Sequence, residues 1–228
     1  MNYWYPKIKD CAVPMSKTEI AITKDFWTWI DLLDGKDPLS AEDKQAIRDA
    51  AIRVGGYPVF MRSDQCSGKH SFRRTCYVEN ERNLIAQIYA LVEENAVHDL
   101  PMVSLIVREY IEPSWSFKAF DGLPIASERR YFVRDGSVVC HHPYWPEDAI
   151  CFWNGTMPIE GWRELLRMMN HENAAEISLL SIYATTIAQE LDGEWSVDFM
   201  LGRNSVWYMI DMAIADQSYH PPCDMWIQ

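Results

Sequence analysis

The sequence lacks an apolar run long enough to cross a membrane. Its longest, from Met102 to Val107, is far shorter than the roughly 20 residues that a membrane-spanning helix needs. The first residues also lack the apolar core of a secretory signal peptide. We therefore expect a cytoplasmic protein that does not bind membranes.

Positive charge is scarce as well. The 228 residues include 21 Lys and Arg against 33 Asp and Glu, which gives a formal net charge of −12. Non-specific binding to nucleic acid needs a basic surface. We therefore expect no nucleic-acid partner, although a local basic pocket for a nucleotide is compatible with this charge. Internal repeats are also missing, which excludes solenoids and propellers.

Paired cysteine motifs are absent. The six cysteines include no CxxC pair, and a chain with 48% hydrophobic residues can bury a core without disulfides, so we expect free thiols. Cys140, His141, His142 and Cys151 suggest zinc as an alternative. Adjacent residues of a strand point to opposite faces, however, so His141 and His142 do not readily share one ion. We favour the interpretation that these thiols are core residues.

Helix and strand signals alternate along the chain without the strict rhythm of a parallel sheet. The expected helices are 24–34, 40–54, 80–95, 158–170 and 173–191. The expected strands are 57–61, 72–78, 102–110, 115–120, 125–133, 137–142, 195–201 and 206–212. Ser40 and Asp43 form a capping-box pattern, and Asp135-Gly136 is a hairpin turn signal. Together these patterns predict an α+β fold in which helices pack on antiparallel sheets.

The strongest chemical signal lies in the last hairpin. Asp198 and Asp211 are the only acids within its strands. With the simplest centring of the turn, Ser196 faces Asp211 and Asp198 faces Met209, so the aspartates are diagonal neighbours on one face, about 7–8 Å apart at Cα. Two carboxylates at this spacing, completed by phosphates and water, suit Mg²⁺. The alternative is that both aspartates simply face water.

A polar loop follows the first predicted strand. Residues 62–71 include Gly68, Lys69 and several small polar residues, which can offer backbone N–H groups and an ammonium to a phosphate. The loop is not a P-loop, because Ser63 and His70 stand where that motif needs Gly and Ser or Thr. An ordinary hairpin turn is the alternative.

Charged residues also share a face of the strand at 125–133. Alternation places Glu128 and Arg130 on one side, and the turn that follows is expected to place Arg130 opposite His141. A guanidinium suits bidentate contact with phosphate. The alternative is a solvated cluster of charges across the strands.

Four segments, in this order, resemble the ATP-grasp superfamily. They are Pro58-Val59-Phe60-Met61-Arg62 with the loop to Lys69, Val107-Arg108-Glu109-Tyr110-Ile111, Glu128-Arg129-Arg130-Tyr131-Phe132-Val133, and Val197-Asp198-Phe199 to Ile210-Asp211-Met212. The pattern looks closest to a divergent, largely bacteriophage-borne clade with Arg and Lys in its nucleotide pocket. It is also similar to the eukaryotic ATP-grasp family that assists assembly of a translation initiation factor. The chain departs from the usual pattern where Arg62 replaces Lys, Arg108 replaces Glu and Ala213 replaces Asn.

The resemblance implies an ATP-grasp fold with two antiparallel-sheet lobes and a nucleotide cleft between them. The implied core is 55–228, with a small lobe at about 55–110 and a large lobe at about 111–216. An N-terminal helical segment, 1–54, would precede this core in one compact unit. The implied cofactors are ATP and Mg²⁺.

The resemblance also implies which residues bind ATP. They are Arg62, Lys69, Arg108, Glu109, Tyr110, Ile111, Glu128 and Arg130. Arg62 and Lys69 would hold phosphates, the backbone of 109–111 would meet adenine, and Glu128 would take the ribose or support Arg130. Lys69 and Arg130 are the implied catalytic residues, since both bring positive charge to the phosphates.

Metal and substrate residues are implied in the second lobe. Asp198 and Asp211 would bind Mg²⁺, and His141 and Asp216 are candidate substrate residues. Ala213 has no side-chain oxygen, so Asp216 or water would have to complete a second ion site. We therefore expect one well-held Mg²⁺ and a weak second site.

The activity implied is ATP- and Mg²⁺-dependent carboxylate–amine ligation on a peptide or amino acid. A carboxylate would attack the γ-phosphate, and an amine would then displace phosphate from the acyl-phosphate. The alternative is a non-catalytic ATP-binding protein for assembly or interaction, which the loss of Asn at position 213 favours. The expected partner is a small-molecule or peptide substrate, and a protein partner is also compatible with the sequence.

Overall fold

The structure of the chain is a computed structural model that describes residues 1–151 and 158–221. Cys223 and the side chain of Cys151, which belongs to the zinc alternative, lie outside the described residues. The described helices are α1 Tyr5–Ile8, α2 Phe26–Leu33, α3 Ala41–Arg53, α4 Leu84–Val97, α5 Glu147–Cys151, α6 Trp162–Met169 and α7 Ala174–Ala188. Single turns of 3₁₀ helix lie at Lys69–Ser71, Glu81–Asn83 and Ala215–Gln217.

The strands form antiparallel sheets. They are β1 Thr18–Thr23, β2 Val59–Ser63, β3 Tyr77–Val78, β4 Ser104–Glu109, β5 Trp115–Ala119, β6 Leu123–Ala126, β7 Glu128–Arg134, β8 Ser137–Pro143, β9 Glu194–Leu201 and β10 Trp207–Ile214. The strand orders are β1-β4-β2-β3, β10-β9-β7-β8 and β5-β6. Helices packed on antiparallel sheets confirm the predicted α+β class.

Two units divide the chain. The first comprises Met1–Asn2, Ser16–Ile111 and Phe120–Leu123. The second comprises Tyr3–Met15, Glu112–Ala119 and the described residues from Pro124 onwards.

The first unit has its core between one face of its sheet and helices α2, α3 and α4. Alternate strand residues such as Met61 and Val107 are buried against helix residues such as Trp29, Ile47 and Ile88. Burial of such side chains against one face stabilises both layers because it removes apolar surface from water. The opposite face of β2 and β4 is therefore left for the polar residues discussed below.

Local structure in this unit both confirms and corrects the sequence predictions. The Ser40 and Asp43 capping box is confirmed, with reciprocal bonds of 3.1 and 2.9 Å. The strand expected at 72–78 is wrong for most of its length, because only Tyr77–Val78 is extended. Thr75 Oγ1 instead donates to the carbonyls of the preceding turn. Strand β1 lies in a region where only helices were expected.

The second unit has α7 on one face of its four-stranded sheet. The predicted apolar stripe of β9, Trp195, Val197 and Phe199, is buried, and Phe199 contacts Tyr183 of α7. Because strand residues alternate, the residues between them lie on the other face of the sheet. That other face carries the aspartates of the last hairpin.

Candidate functional site

Two aspartates face each other in the last hairpin. Asp198 of β9 lies directly opposite Asp211 of β10. The expected register, with Ser196 opposite Asp211 and Asp198 opposite Met209, is wrong. The pairing shifts at Ile210, because a bulge there adds one residue to β10. The two carboxylates therefore lie closer together than the diagonal spacing predicted.

Arg130 pairs with one of these acids through two hydrogen bonds. Arg130 of β7 lies opposite Asp198, and its Nε and Nη2 each donate to one carboxylate oxygen at 2.7 Å. The side chains are only 12% and 6% exposed. Burial opposes the charge of Arg130, yet the Asp198 carboxylate outweighs it and raises the pKa of Arg130 above its usual value. This cation offsets the repulsion between Asp198 and Asp211.

Two aromatic and backbone contacts fix the position of Arg130. The guanidinium carbon lies 4.6 Å from the centroid of the Tyr144 ring, a cation–π contact. Its Nη1 donates to the carbonyl of Tyr219 at 3.3 Å. The guanidinium is thus held from three directions, which leaves it little rotational freedom.

The partner of Arg130 on the other neighbouring strand differs from the prediction. The expected opposition of Arg130 and His141 is wrong, because β8 bulges at Val139 and its register shifts by one residue. His142 lies opposite Arg130 instead. The sequence reasoning missed His142 as a site residue, and the pair of adjacent histidines was its only signal.

The two histidines have different surroundings. His141 faces Tyr131, stacks on its ring and has its Nδ1 3.0 Å from a carboxylate oxygen of Glu172. His142 has its Nδ1 2.7 Å from the carbonyl oxygen of Pro143. Burial lowers the pKa of His142 below its usual range, against the opposing effect of the Pro143 hydrogen bond. Among the predicted residues, His141 is therefore separated from Arg130.

The strand that carries Arg130 holds two further buried charges. Glu128 is 4% exposed, and its Oε1 accepts a hydrogen bond of 2.9 Å from the indole of Trp145. Arg129 points to the opposite side, where it donates to Glu176 and to the carbonyl of Met169. Arg129 therefore ties the sheet to the helix layer, whereas Glu128 lies at the start of the strand that presents Arg130.

The residues after β10 cross the same sheet face. Tyr219 accepts the hydrogen bond from Arg130, and His220 Nε2 lies 2.9 Å from Cys140 Sγ. The His220 ring also contacts Phe132 at a centroid distance of 4.3 Å. Asp216 is exposed in the 3₁₀ turn that precedes this segment.

The donor set of this face suits magnesium. Opposed carboxylates from Asp198 and Asp211 supply the hard oxygen ligands that Mg²⁺ prefers, with further positions left to phosphates and water. In the part of the chain that the structure describes, no group of three or more His, Cys, Asp or Glu could hold a metal by itself. The residues therefore fit an ion that a phosphate ligand helps to bind.

In the first unit, two buried arginines share the sheet face opposite the core. Arg62 pairs with Ile106 and Arg108 with Phe60, so the two are diagonal neighbours on β2 and β4. Their exposed fractions are 3% and 5%. Arg108 Nε donates to Ser16 Oγ at 2.9 Å, which fixes its direction.

The loop after β2 has a defined shape. Gly68 has a φ of +65°, and a Cβ there would lie 2.8 Å from Thr75 Oγ1, so only glycine fits. Asp64 Oδ1 accepts the N–H groups of residues 103 and 104, both at 3.0 Å. Lys69 follows Gly68 in the 3₁₀ turn and is partly exposed.

An imidazole lies beside this lysine. His70 stacks on Phe120 at a centroid distance of 4.6 Å. Burial, with the charge of Lys69 adding to it, lowers the pKa of His70 to about 4. The ring therefore adds no charge to the loop at neutral pH.

The expected adenine-binding segment follows β4. Glu109 ends the strand and exchanges backbone contact with Lys17, whose carbonyl accepts the Glu109 N–H at 2.8 Å. The ring of Tyr110 packs edge-on against Tyr77 at 4.9 Å. Ile111 is half-buried. Aromatic packing thus fixes this segment at the end of the first unit.

The helices that the structure describes include none with the length and apolar character needed to span a bilayer.

Known structures share this fold. Cdc123 from Schizosaccharomyces pombe matches with a TM-score of 0.54 and 14% identity over 93% of this chain and 81% of that chain. VanG D-Ala:D-Ser ligase from Enterococcus faecalis matches with 0.53 and 13% over 92% and 50%. The biotin carboxylase domain of Hydrogenobacter thermophilus 2-oxoglutarate carboxylase, solved with MgADP, matches with 0.51 and 15% over 91% and 38%. This chain thus spans half or less of the ligase and carboxylase chains, and likeness at these identities shows the fold alone.

Sequence comparison identifies the family. No curated protein sequence matches the chain significantly. A family model described as an ATP-grasp domain, the third family of a clade named for its arginine and lysine residues, matches residues 53–213, more than two thirds of the chain. That range includes the buried arginines of the first unit and the opposed aspartates of the second. The chain therefore belongs to the ATP-grasp superfamily, in the third family of this arginine- and lysine-named clade.

Proposed function

We propose that this protein is an ATP- and Mg²⁺-dependent ligase that joins a carboxylate to an amine on a peptide or amino acid. The observation that carries the proposal is the buried set of Arg130, Asp198 and Asp211 on one sheet face. Membership of the ATP-grasp family supports the use of ATP. Free thiols at the described cysteines fit a cytoplasmic location, where ATP is available.

In this proposal Asp198 and Asp211 hold the metal. Mg²⁺, when bound, would neutralise negative charge on the phosphates of ATP. Ala213 offers no side-chain oxygen, so we propose one well-held ion, with Asp216 or water at a weak second site. Arg130 binds the transferred phosphoryl group through its guanidinium. Because Asp198 and Tyr144 already hold it, Arg130 needs little reorganisation when charge develops there.

The first unit contributes the remaining ATP contacts. Arg62 and Lys69 bind phosphates, because both place positive charge at or beside the loop that follows β2. Arg108 keeps its hydrogen bond to Ser16 and adds charge from the same face. The backbone of residues 109–111 meets adenine.

Glu128 contributes from the second unit. Its buried carboxylate, held by Trp145, takes the ribose or supports Arg130. Both roles keep its charge beside the strand that presents the guanidinium.

The proposed chemistry has two steps. A substrate carboxylate oxygen attacks the γ-phosphorus, the bond to the bridging oxygen breaks, and ADP leaves with that electron pair. The amine nitrogen then attacks the acyl carbon, and phosphate leaves with the electrons of the carbon–oxygen bond. Positioning and charge neutralisation by Arg130 and Lys69 supply most of the acceleration in such phosphoryl transfer.

A second candidate function is binding of ATP without turnover, for assembly or interaction with a protein partner. Ala213 favours it, because the ATP-grasp pattern usually has an Asn ligand at that position. Asp198, already paired with Arg130, is also a ligand that the ion must share.

One experiment separates the two functions. The protein is incubated with ATP, MgCl₂ and a mixture of the twenty amino acids and short peptides, while ADP and new amide products are measured by mass spectrometry. Asp198→Asn should lose turnover, whereas Asp192→Asn, at an exposed aspartate before β9, should keep it. Nucleotide binding by calorimetry without ADP formation would favour the second function. Failure to bind ATP with Mg²⁺ would refute both.

A further inference from the structure

His142 lies in line with the proposed catalytic groups. Across three neighbouring strands, His142 of β8 faces Arg130 of β7, and Arg130 faces Asp198 of β9. Side chains of directly paired residues lie on the same face of a sheet. β8 is the edge strand of this sheet. His142 therefore occupies the outer side of the site, beyond the guanidinium that would bind the transferred phosphoryl group.

A hydrogen bond sets the tautomer of this histidine. His142 Nδ1 lies 2.7 Å from the carbonyl oxygen of Pro143, and a carbonyl oxygen can only accept. Nδ1 must therefore carry the hydrogen. In the neutral ring, Nε2 then has the free lone pair and acts as an acceptor.

That acceptor has nothing to accept from in the described part of the chain. Nε2 is buried, and no described residue makes a hydrogen bond to it. Buried polar atoms are almost always hydrogen-bonded in native proteins. The orphaned lone pair therefore points to a donor that comes from outside these residues.

The charges around the ring favour its neutral form. Arg130 from β7 and His220 from the C-terminal segment oppose a second positive charge, and burial acts in the same direction. Asp198 from β9 and the Pro143 carbonyl act in the opposite direction, but the net effect lowers the pKa of His142. Tyr219, whose ring is also near, is neutral at this pH. At neutral pH the lone pair on Nε2 is thus available.

We propose that Nε2 of His142 is the base that accepts the proton of the amine nucleophile. This inference rests on the proposed ligase function. As the amine nitrogen bonds to the acyl carbon, phosphate leaves with the electrons of the carbon–oxygen bond. The surplus N–H proton passes to Nε2, and the imidazolium later returns it to water. The second substrate is thus an amine that donates an N–H to His142.

Hydroxylamine provides the test of this role. Hydroxylamine is unprotonated at neutral pH and attacks acyl-phosphates without a base, giving a hydroxamate. With ATP, Mg²⁺ and the twenty amino acids, His142→Gln should form hydroxamate within about twofold of the parent rate. Its amide formation should fall by about 10²-fold or more, the usual contribution of a general base. His171→Gln, at an exposed histidine of the same unit, is the matched control.

A structural variant and chemical rescue complete the activity measurement. In His142→Ala, added imidazole should restore amide formation and leave hydroxamate formation unchanged. Parent-like amide formation by His142→Gln, or equal loss of both products, would overturn the base role alone. Absence of ADP and of hydroxamate with the parent protein would overturn the ligase function, and this role with it.

The tautomer can be measured without turnover. In ¹⁵N-labelled protein, the ring signals missing from His142→Gln identify His142. We expect a neutral ring with hydrogen on Nδ1 at pH 7. A hydrogen on Nε2, or a charged ring at that pH, would overturn the proposal whatever the activity measurement gives.

Discussion

Replacing Arg130 with Met should destabilise the protein strongly. The substitution keeps an unbranched apolar side chain but removes the cation that faces Asp198 and Asp211. Both hydrogen bonds to Asp198 are 2.7 Å long, and both side chains are largely buried. The variant therefore leaves a buried carboxylate beside a second one, without the charge that offsets their repulsion.

The magnitude follows from the burial of this pair. Removing one partner of a buried ion pair costs about 3–5 kcal/mol, since the remaining charge keeps its desolvation cost. We expect the free energy of unfolding to fall by about this amount in Arg130→Met. Adding Asp198→Asn to the variant removes the stranded charge and should restore more than half of the loss.

Urea unfolding measures both effects, since the ten tryptophans of the chain supply a fluorescence signal. MgCl₂ should stabilise Arg130→Met more than the parent, because ligand binding to the native state adds stability and Arg130 no longer competes for Asp198. NaCl of matched ionic strength is the control. An unchanged urea midpoint in Arg130→Met would refute the reasoning. A double variant as unstable as the single one would instead assign the loss to packing on Tyr144.

Three further predictions concern the loop, the metal and pH. Lys69→Ala should weaken ATP binding in calorimetry without changing the urea midpoint; parent-like affinity would contradict the loop assignment. Asp211→Asn should abolish Mg²⁺-dependent turnover while changing stability by less than about 1 kcal/mol, because removing like-charge repulsion offsets the lost contacts; retained turnover would contradict its role. His70 has a pKa of about 4 when folded against 6.5 in the unfolded chain, so stability should fall as the pH drops through that range. His70→Phe keeps the stacked ring and should lessen the loss between pH 7 and 5, whereas an equal loss would refute this account.

The sequence predicts which residues share a face better than it predicts which residues oppose each other. Alternation along β9 and β10 is enough to place Asp198 and Asp211 on one side of the sheet. Their direct opposition depends on Ile210, and the partner of Arg130 depends on Val139. Both bulge residues are β-branched, as regular strand residues often are, so nothing in the sequence marks them.

Burial explains the strand that the sequence did not reveal. In β1 only Ile22 is buried, so its apolar alternation is too weak to identify a strand. The segment pairs with β4 because the neighbouring strand supplies its hydrogen bonds, which is a tertiary effect. Conversely, residues 72–76 contain strand-forming types but turn, since Thr75 bonds to the carbonyls of Gly68 and Ser71.

The two bulges have a consequence for the alignment of related sequences. Deleting Ile210 would leave a regular ladder in which Asp198 still faces Asp211, and deleting Val139 would likewise keep Arg130 opposite His142. The interval between the aspartates would then shorten from 211 − 198 = 13 to 12 residues with the pair intact. A one-residue gap at either position in a relative is therefore compatible with the same facing residues, and alignments should place gaps there before they separate the acids.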